Sequence, residues 1–335
     1  MTIPSSVLPL ARYRFSAVMR AGLRLPGYAG SLLRGQFGAA LRQVACMTRQ
    51  PTCAGCPLLH TCPYTRVFEA PPPPAHDLQK FSNIPNAYVV EPPLATPELA
   101  PADLRAGDPL VFQMVLAGAA IAQLALIVFA WQRALAQGLT RDRAPADLHR
   151  VDWLDSDGMA HRIWEASAPT LLAHDATLTV PPIAASGAAP PTALTLHIHT
   201  PLRLQHQGHP LRPAQLTPRV LVAALARRAA LVMEFHAGQA HWGAAVPPLV
   251  QLAESLADQR ELHWHDWTRY SSRQQQEMTL GGVLGRWTLR GDPATLATLW
   301  PWLWLGQWLH VGKNASMGLG AYRLEGAAAW PMHLT

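Results

Sequence analysis

Hydrophobic and polar residues in the first half of the chain alternate with the periods of strands and helices. The segment from Leu8 to Met19 is typical of a strand. From Ser31 to Val44, Leu33, Phe37 and Leu41 recur at helical spacing and indicate a helix with one apolar face. The elements predicted next are strands from Ala87 to Val90 and from Pro109 to Leu116, a helix from Ala119 to Gln137, and a closing hairpin formed by Leu148 to Leu154 and His161 to Glu165 around Asp157 and Gly158.

The second half of the chain repeats this order of elements. From Ala193 to Thr200, apolar and polar residues alternate with period two, as in a half-buried strand. The elements predicted next are a helix from Pro218 to His236, strands from Glu261 to Arg269 and from Leu280 to Arg290, a helix from Ala294 to Leu309, and a strand from Met317 to Leu324. Each half therefore reads strand–helix–strand–strand–helix–strand, the order of the ferredoxin-like fold that RNA-recognition modules use.

We accordingly predict an α+β protein with tandem ferredoxin-like (RRM-like) domains. The first domain spans residues 1–183 and the second spans residues 192–335. Between them, Ala184 to Pro191 has the sequence AASGAAPP, which is typical of a linker or an exposed turn. A chain of 335 residues is long enough for two ordinary domains, and a hydrophobic content of 49% excludes global disorder.

One apolar stretch, from Leu110 to Trp131, is long enough to cross a bilayer. It divides into a strand from Leu110 to Leu116 and a helix from Gly118 to Gln137 that carries polar residues, so we expect it to lie in a protein core. The N-terminal residues have no apolar run of the kind found in signal peptides. We therefore predict a protein of the reducing cytoplasm with no membrane partner.

Charged residues are few, and lysines and arginines outnumber aspartates and glutamates. Charged residues make up 14% of the chain, the formal net charge is +6, and the pI is about 9.5. This balance suits a polyanionic partner, although solubility alone explains it equally well.

All four cysteines lie close together, at Cys46, Cys53, Cys56 and Cys62, with the spacing C-x6-C-x2-C-x5-C. Four thiolates suit tetrahedral zinc, and a C-x2-C turn supplies two of them. Two disulfides or four unrelated thiols are the alternatives, and disulfides are disfavoured in a reducing compartment. We predict that the four cysteines bind a structural zinc ion, which cross-links an insertion at about residues 46–75 of the first domain. His60 could replace one cysteine as a ligand and is the weaker alternative.

A glycine-rich segment, His310 to Tyr322, joins the last predicted helix to the last strand and reads HVGKNASMGLGAY. Glycines allow backbone N–H groups to approach phosphates closely, because no Cβ intervenes. A flexible turn before an edge strand is the alternative. The candidate RNA-contacting residues of this segment are Gly312, Lys313, Asn314, Ser316, Gly318 and Gly320.

Two further segments carry candidate RNA-binding side chains. In WTRYSSR, Arg269 and Arg273 offer guanidinium groups for phosphates, and Tyr270 offers a ring on which a base stacks. A solvated hairpin is the alternative for this segment. Arg34 and Arg42 lie eight residues apart on the first helix, and with preceding arginines such as Arg20 they form either a basic stripe or an ordinary solvated face.

Several of these segments occur together in one known family. They are LLRGQFGAALR, the cysteine cluster followed by PYTRVFE, HTPLRL, DWTRYSSRQQQEMTLGGVLG and HVGKNASMGLGAY. From about Leu8 to Leu324, and in this order, the chain resembles the CRISPR-associated endoribonuclease that processes precursor CRISPR RNA. The resemblance is to the branch with an inserted cysteine cluster, within the repeat-associated mysterious protein (RAMP) superfamily.

The resemblance implies tandem ferredoxin-like domains that bind the CRISPR repeat RNA and cleave precursor crRNA within each repeat, without a catalytic metal. Attack by a 2′-hydroxyl on the adjacent phosphate would leave a 2′,3′-cyclic phosphate and a 5′-hydroxyl. It also implies that Gly312 to Gly320 is the glycine-rich loop of the superfamily. Other subunits of a CRISPR effector complex are possible partners.

The sequence departs from the family at the general base. Members often place a histidine on or near the first helix, whereas no histidine precedes His60 here, and Ala39 and Ala40 stand where it is expected. Three interpretations stay open. Tyr28, His310 or Tyr270 acts as the base; or positive charge from Arg34 and Lys313 carries most of the catalysis; or the chain is a non-catalytic crRNA-binding subunit.

Overall fold

The computed structural model describes residues 7–71, 84–94, 102–184, 189–266, 268–271 and 276–325. The chain divides into two compact units, with the main boundary between Leu178 and Thr179. Residues 185–188 of the predicted linker at 184–191 lie outside the described residues.

The N-terminal unit contains a five-stranded antiparallel sheet and two main helices. In chain order these are β1 (Leu10–Met19), α1 (Gly30–Ala45), β2 (Tyr88–Glu91), β3 (Pro109–Ala117), α2 (Leu124–Gln137), β4 (Ala146–Leu154) and β5 (Ala160–Glu165). The strands lie in the order β2-β3-β1-β4-β5. Shorter elements are Val7–Leu8, Leu23–Leu25, a helix at Pro63–Val67, Ala102–Leu104 and Leu178–Thr179.

The alternation along β1 explains how this sheet forms its core. Phe15 is fully buried and stacks on Phe112 of β3, with ring centroids 5.2 Å apart. Trp131 of α2 packs 4.4 Å from Phe112 and 5.1 Å from Phe37 of α1. Both helices therefore bring their aromatic side chains to the same face of the sheet, where burial stabilises the unit.

Within the described residues, one segment, Gly118–Gln137, has the length and hydropathy of a membrane span. It is a 3-10 turn at Gly118–Gln123 followed by α2, which buries Ile127, Trp131 and Leu135 in the core of the N-terminal unit. We therefore interpret it as a core helix, as its pattern predicts.

The C-terminal unit repeats the plan with four strands. In chain order its main elements are β6 (Ala193–Leu202), α3 (Pro218–His236), α4 (Val246–Ala253), β7 (Ala257–His265), β8 (Gly282–Arg290), α5 (Pro293–Leu309) and β9 (Tyr322–Glu325). Its strands are antiparallel in the order β7-β8-β6-β9. In both units the second strand pairs with the third, the third with the first and the first with the fourth, which is consistent with the predicted tandem ferredoxin-like domains.

Helix α5 supplies much of the core of this unit. Its N-cap residue Asp292 accepts a hydrogen bond from the Thr295 amide at 2.9 Å, which satisfies one of the free amides of the first turn. Three of its tryptophans, Trp302, Trp304 and Trp308, are almost completely buried. The helix is therefore apolar on most of its circumference, as expected of a helix that packs inside a domain.

Three sequence predictions are wrong in detail. The last strand begins at Tyr322 rather than Met317, because Ala315–Met317 is a 3-10 turn and Gly318 and Gly320 have positive φ values of 88° and 73°, outside the range of regular strands. Strand β7 begins four residues before the predicted Glu261. The sequence also did not indicate α4, which follows a 3-10 turn at Gly243–Ala245.

Candidate nucleic-acid interface

The glycine-rich segment begins where α5 ends, and its backbone turns repeatedly. His310 has a φ of 55° at the end of the helix, and Asn314 follows in the left-handed region at 64°. Gly312, Gly318 and Gly320 have φ values of 91°, 88° and 73°. Such values favour glycine, so all three glycines are needed for the shape of the loop.

The loop is fixed to the end of β6 by hydrogen bonds. The Lys313 amide donates to the Arg203 carbonyl at 2.9 Å, and the Gly320 amide donates to the Pro201 carbonyl at 3.1 Å. The buried Thr200 hydroxyl donates to the Gly318 carbonyl at 2.8 Å and accepts from the Ala321 amide at 2.8 Å. The segment HTPLRL therefore supports the loop from beneath.

These bonds correct the predicted use of two glycine amides. The Gly320 amide is bonded to Pro201, and the Gly318 amide donates to the Ala315 carbonyl at 2.8 Å. Neither N–H group is left to bind a phosphate. Gly318 and Gly320 therefore shape the loop, whereas the sequence suggested that they contact RNA directly.

The side chains between the glycines are the accessible part of the loop. Lys313 is exposed, and Asn314 and Ser316 are half-buried. A lysine ammonium next to amide and hydroxyl groups can bind a phosphate by charge and by hydrogen bonds. This part of the loop is the feature of the C-terminal unit best suited to a nucleic-acid backbone.

Burial argues against two of the predicted general bases. The Tyr28 side chain is only 1% exposed, and burial, together with the charge of Glu91, raises its pKa well above the usual range. His310 is 2% exposed beneath the loop. A general base must reach the proton that it removes, so both predictions conflict with this geometry.

The arginines of the first helix contact the protein itself. The Arg34 guanidinium lies 4.5 Å from the centre of the Phe68 ring. Arg42 donates to the carbonyls of Gln50 and Pro51, the latter at 2.8 Å, and so joins α1 to the cysteine segment. Their predicted roles in catalysis and RNA binding would require these contacts to be shared or broken.

Arg20 is the more accessible of the N-terminal candidates. Its side chain is 54% exposed, and its guanidinium lies 3.6 Å from the carboxylate of the similarly exposed Asp147. An exposed pair of this kind contributes little to stability, so Arg20 stays available to a polyanion.

The candidates in WTRYSSR lie on a small hairpin. Thr268–Ser271 pairs with Gln276–Thr279, and Tyr270 is opposite Glu277. The side chains of Arg269 and Tyr270 and the whole of Arg273 lie outside the described residues.

The four cysteines converge on one pocket. Cys46, Cys53, Cys56 and Cys62 are free, half-buried and line it together with Arg42, Thr48 and Tyr64. The Thr48 hydroxyl lies 3.5 Å from the Cys56 sulfur and 3.9 Å from the Cys46 sulfur. Across the described ranges, however, no group of three or more His, Cys, Asp or Glu side chains is arranged to hold a metal ion.

Two arginines that were not among the predicted site residues, Arg203 and Arg228, support the loop. The Arg203 carbonyl accepts a hydrogen bond from the Lys313 amide, and the Arg203 guanidinium donates one to the Gly281 carbonyl at 2.7 Å. Arg228 donates to the Leu309 carbonyl at 2.7 Å and so caps the end of α5; burial lowers its pKa to about 10, and it stays protonated at neutral pH. Arg203 lies in the HTPLRL motif, so this motif was the sequence feature from which its role could have been predicted.

Comparison with protein families gives two matches. A family model for an N-terminal domain matches residues 8–176, and a model described as CRISPR-associated endoribonuclease Cas6 matches residues 196–322. The second match includes Arg203, Lys313 and the three loop glycines. No curated protein sequence is significantly similar to the chain.

Three solved structures with the same fold contain Cas6, and two of them are of the same Cas6 protein. A Cas6 product complex has a TM-score of 0.55 at 17% identity, covering 95% of this chain and 99% of the other. A partial Cas6-RT-Cas1–Cas2 complex has a TM-score of 0.54 at 17% identity, covering 97% of this chain and 47% of the other. Thermus thermophilus Cas6 has a TM-score of 0.52 at 15% identity, covering 95% and 98%. At these identities the likeness concerns the fold.

Proposed function

We propose that this chain, which belongs to the CRISPR-associated Cas6 endoribonuclease family, binds CRISPR repeat RNA and cleaves precursor crRNA. The observation that carries the proposal is the glycine-rich loop, which falls within the matched family region and presents the exposed Lys313 on a fixed backbone. The basic net charge of +6 supports a polyanionic partner. One structure of the same fold is a complex containing Cas1 and Cas2, and other CRISPR proteins are accordingly proposed as partners.

The proposed reaction is metal-independent. The 2′-hydroxyl of the scissile nucleotide attacks the adjacent phosphorus and loses its proton to solvent, the bond to the 5′-oxygen breaks, and the 5′-oxygen takes up a proton from solvent. A 2′,3′-cyclic phosphate and a 5′-hydroxyl result. Lys313 stabilises the negative charge that builds up on the phosphorane. Tyr28 and His310 are buried, and the side chain of Tyr270, the third candidate base, lies outside the described residues. We therefore propose that catalysis rests on positive charge and on orientation of the phosphate rather than on a dedicated base.

The test is a cleavage assay in which the purified protein meets its repeat RNA with EDTA added at the start of the reaction. We expect unchanged cleavage and a product that ends in a cyclic phosphate, identified by mass spectrometry. Zinc content is measured before and after, so that loss of a structural metal is not mistaken for loss of a catalytic one. Cleavage that stops with EDTA and returns on adding magnesium would contradict the proposed mechanism.

A non-catalytic crRNA-binding subunit is the second candidate function. It is favoured by the alanines at 39 and 40, where the family often has a histidine, and by the burial of Tyr28 and His310. Tight binding of the repeat RNA without any cyclic-phosphate product would establish this function instead.

We predict that Lys313→Ala weakens binding of the repeat RNA by about tenfold and reduces the slope of log affinity against log salt by about one, because one phosphate contact is lost. Fluorescence anisotropy at several salt concentrations measures both effects. Arg219→Ala is the matched control, since it removes one exposed cation that is paired with Glu254 on the same unit. Equal losses in the two variants would show that Lys313 contributes only general charge.

We also propose that the cysteine segment binds one structural zinc ion. The support is chemical: four half-buried thiols line a single pocket, and Cys53 and Cys56 adjoin a turn in which the Cys56 amide donates to the Cys53 carbonyl at 3.2 Å. Zinc would bind these thiols as thiolates and cross-link the segment between α1 and the Pro63–Val67 helix. Cys46, Cys53, Cys56 and Cys62 would hold it.

Elemental analysis of the purified chain tests this proposal, with about one zinc per chain expected. Cys56→Ser should abolish most of the bound zinc and make the segment more sensitive to proteolysis. Thr61→Ser, an exposed position in the same segment, should retain both properties of the wild type. A protein that contains no zinc when expressed with zinc present, or in which disulfides form instead, would overturn it.

A further inference from the structure

An exposed arginine in the C-terminal unit, Arg212, lies over the ring of a tryptophan, Trp264. The Arg212 guanidinium carbon lies 3.8 Å from the centre of the Trp264 ring, within the range of a close cation–π contact. The Trp264 ring is itself fixed, because its Nε1 donates to the Asp266 carboxylate at 2.7 Å. The backbone of Arg212 is fixed as well, since its amide donates to Gln215 Oε1 at 2.9 Å.

Gly281 supports the tryptophan from another side. A Cβ at this glycine would lie 2.6 Å from ring atom Cε2 of Trp264 and 2.7 Å from the Asp266 carboxylate. Only glycine therefore permits the backbone to approach the indole this closely. Trp264 is half-buried, and Arg212, which lies over its ring, is exposed.

The stack is connected to the glycine-rich loop by direct contacts. The Gly281 carbonyl accepts the hydrogen bond from Arg203, and the Arg203 carbonyl accepts the one from the Lys313 amide. A chain of contacts therefore runs within this unit from Trp264 through Gly281 and Arg203 to Lys313. Over the described parts of the chain, no carboxylate lies within ion-pair distance of Arg212, which is exposed.

We propose that Arg212, supported by Trp264, is a stacking platform for one unpaired base of the bound RNA. The planar guanidinium stacks on a base, and its charge also attracts the adjoining phosphate. Since the arginine is already ordered by the indole, little conformational entropy is lost when the base binds. The inference rests on the proposed function, because it assigns a single-stranded part of the same RNA to the surface beside Lys313.

The geometry favours an unpaired base over a duplex. In an A-form helix the flat faces of the bases are covered by their neighbours, and a lone guanidinium face finds no base to stack on. A free base has such a face whatever its identity, so the platform would tolerate any nucleotide.

The test compares two single-stranded probes of 12 nucleotides, oligoadenylate and the same ribose-phosphate chain without bases. For the wild type, the ratio of the two affinities measures what the bases contribute. Arg212→Lys keeps the charge but removes the planar group, so we expect this ratio to fall by about tenfold while affinity for the abasic chain is unchanged. Arg219→Lys, at an exposed arginine of the same unit, should leave both affinities unchanged.

A second variant, Trp264→Leu, removes the support but keeps an apolar side chain, and the same loss of the ratio is expected. Its thermal unfolding is recorded to confirm that it folds. An unchanged ratio in Arg212→Lys overturns the platform, even if Trp264→Leu does not fold. The platform is also overturned if the wild-type protein cuts repeat RNA but binds oligoadenylate and the abasic chain with equal affinity. The proposed function is left intact by that result. Absence of binding to the probes and to repeat RNA overturns both.

Discussion

Replacement of the scissile nucleotide by its 2′-deoxy form is expected to abolish cleavage, with a single-turnover rate constant at least about a thousandfold lower than for unmodified RNA. The reason is that the 2′-hydroxyl is the nucleophile of the proposed reaction, and no positioned charge replaces it. Gel analysis of end-labelled RNA under single-turnover conditions measures the rate. Affinity, measured by anisotropy, should change far less, since one hydroxyl contributes little to a contact dominated by phosphates.

The matched control is a 2′-deoxy substitution two nucleotides upstream of the cut, which should leave the rate close to that of unmodified RNA. Continued cleavage at the modified position would exclude attack by the 2′-hydroxyl and indicate attack by water. Loss of cleavage with both substitutions would indicate that the enzyme reads the sugar along the whole site rather than using one hydroxyl as a nucleophile.

The periodic part of the fold was predictable from the sequence because it is encoded locally. Alternation along β1 and β6 and the apolar face of α1 follow directly from which residues the sheet and its helices bury. The order of strands in each sheet then follows from the repeated strand–helix–strand pattern. Register does not, since it depends on partners distant in the chain, such as Thr195 opposite Thr288.

The candidate site was predictable only as a location. Glycine spacing identified the loop, but whether the Gly320 amide faces solvent or the Pro201 carbonyl is decided by the end of β6, more than a hundred residues earlier. Tyr28 and His310 stood near recognisable motifs, and their burial is a property of the packed domain that no local pattern carries. Arg212 and Trp264 belong to no motif and meet only because the 3-10 turn at Pro213–Gln215, which Arg212 precedes, folds against the end of β7.

Gly320→Ala is expected to destabilise the C-terminal unit by at least about 4 kcal/mol. Gly320 has a φ of 73°, and a Cβ there would overlap the carbonyl oxygen of Val311. The Val311 amide also donates to the Gly320 carbonyl at 3.2 Å, so this contact closes the loop on itself. Urea unfolding followed by tryptophan fluorescence measures the loss, because buried tryptophans such as Trp302 and Trp304 report on this unit.

Gly208→Ala is the matched control, since Gly208 lies in the same unit with a φ of 83° and a Cβ there would meet no atom within 4 Å. The strain of a positive φ alone costs about 1–2 kcal/mol, so the difference between the two variants isolates the overlap with Val311. Equal losses would show that the loop relaxes around the added methyl group. In that case Lys313 is held loosely, and RNA binding should survive in Gly320→Ala. If Gly320→Ala loses much more stability than Gly208→Ala and also loses RNA binding, the contact between Val311 and Gly320 is what holds Lys313 in position.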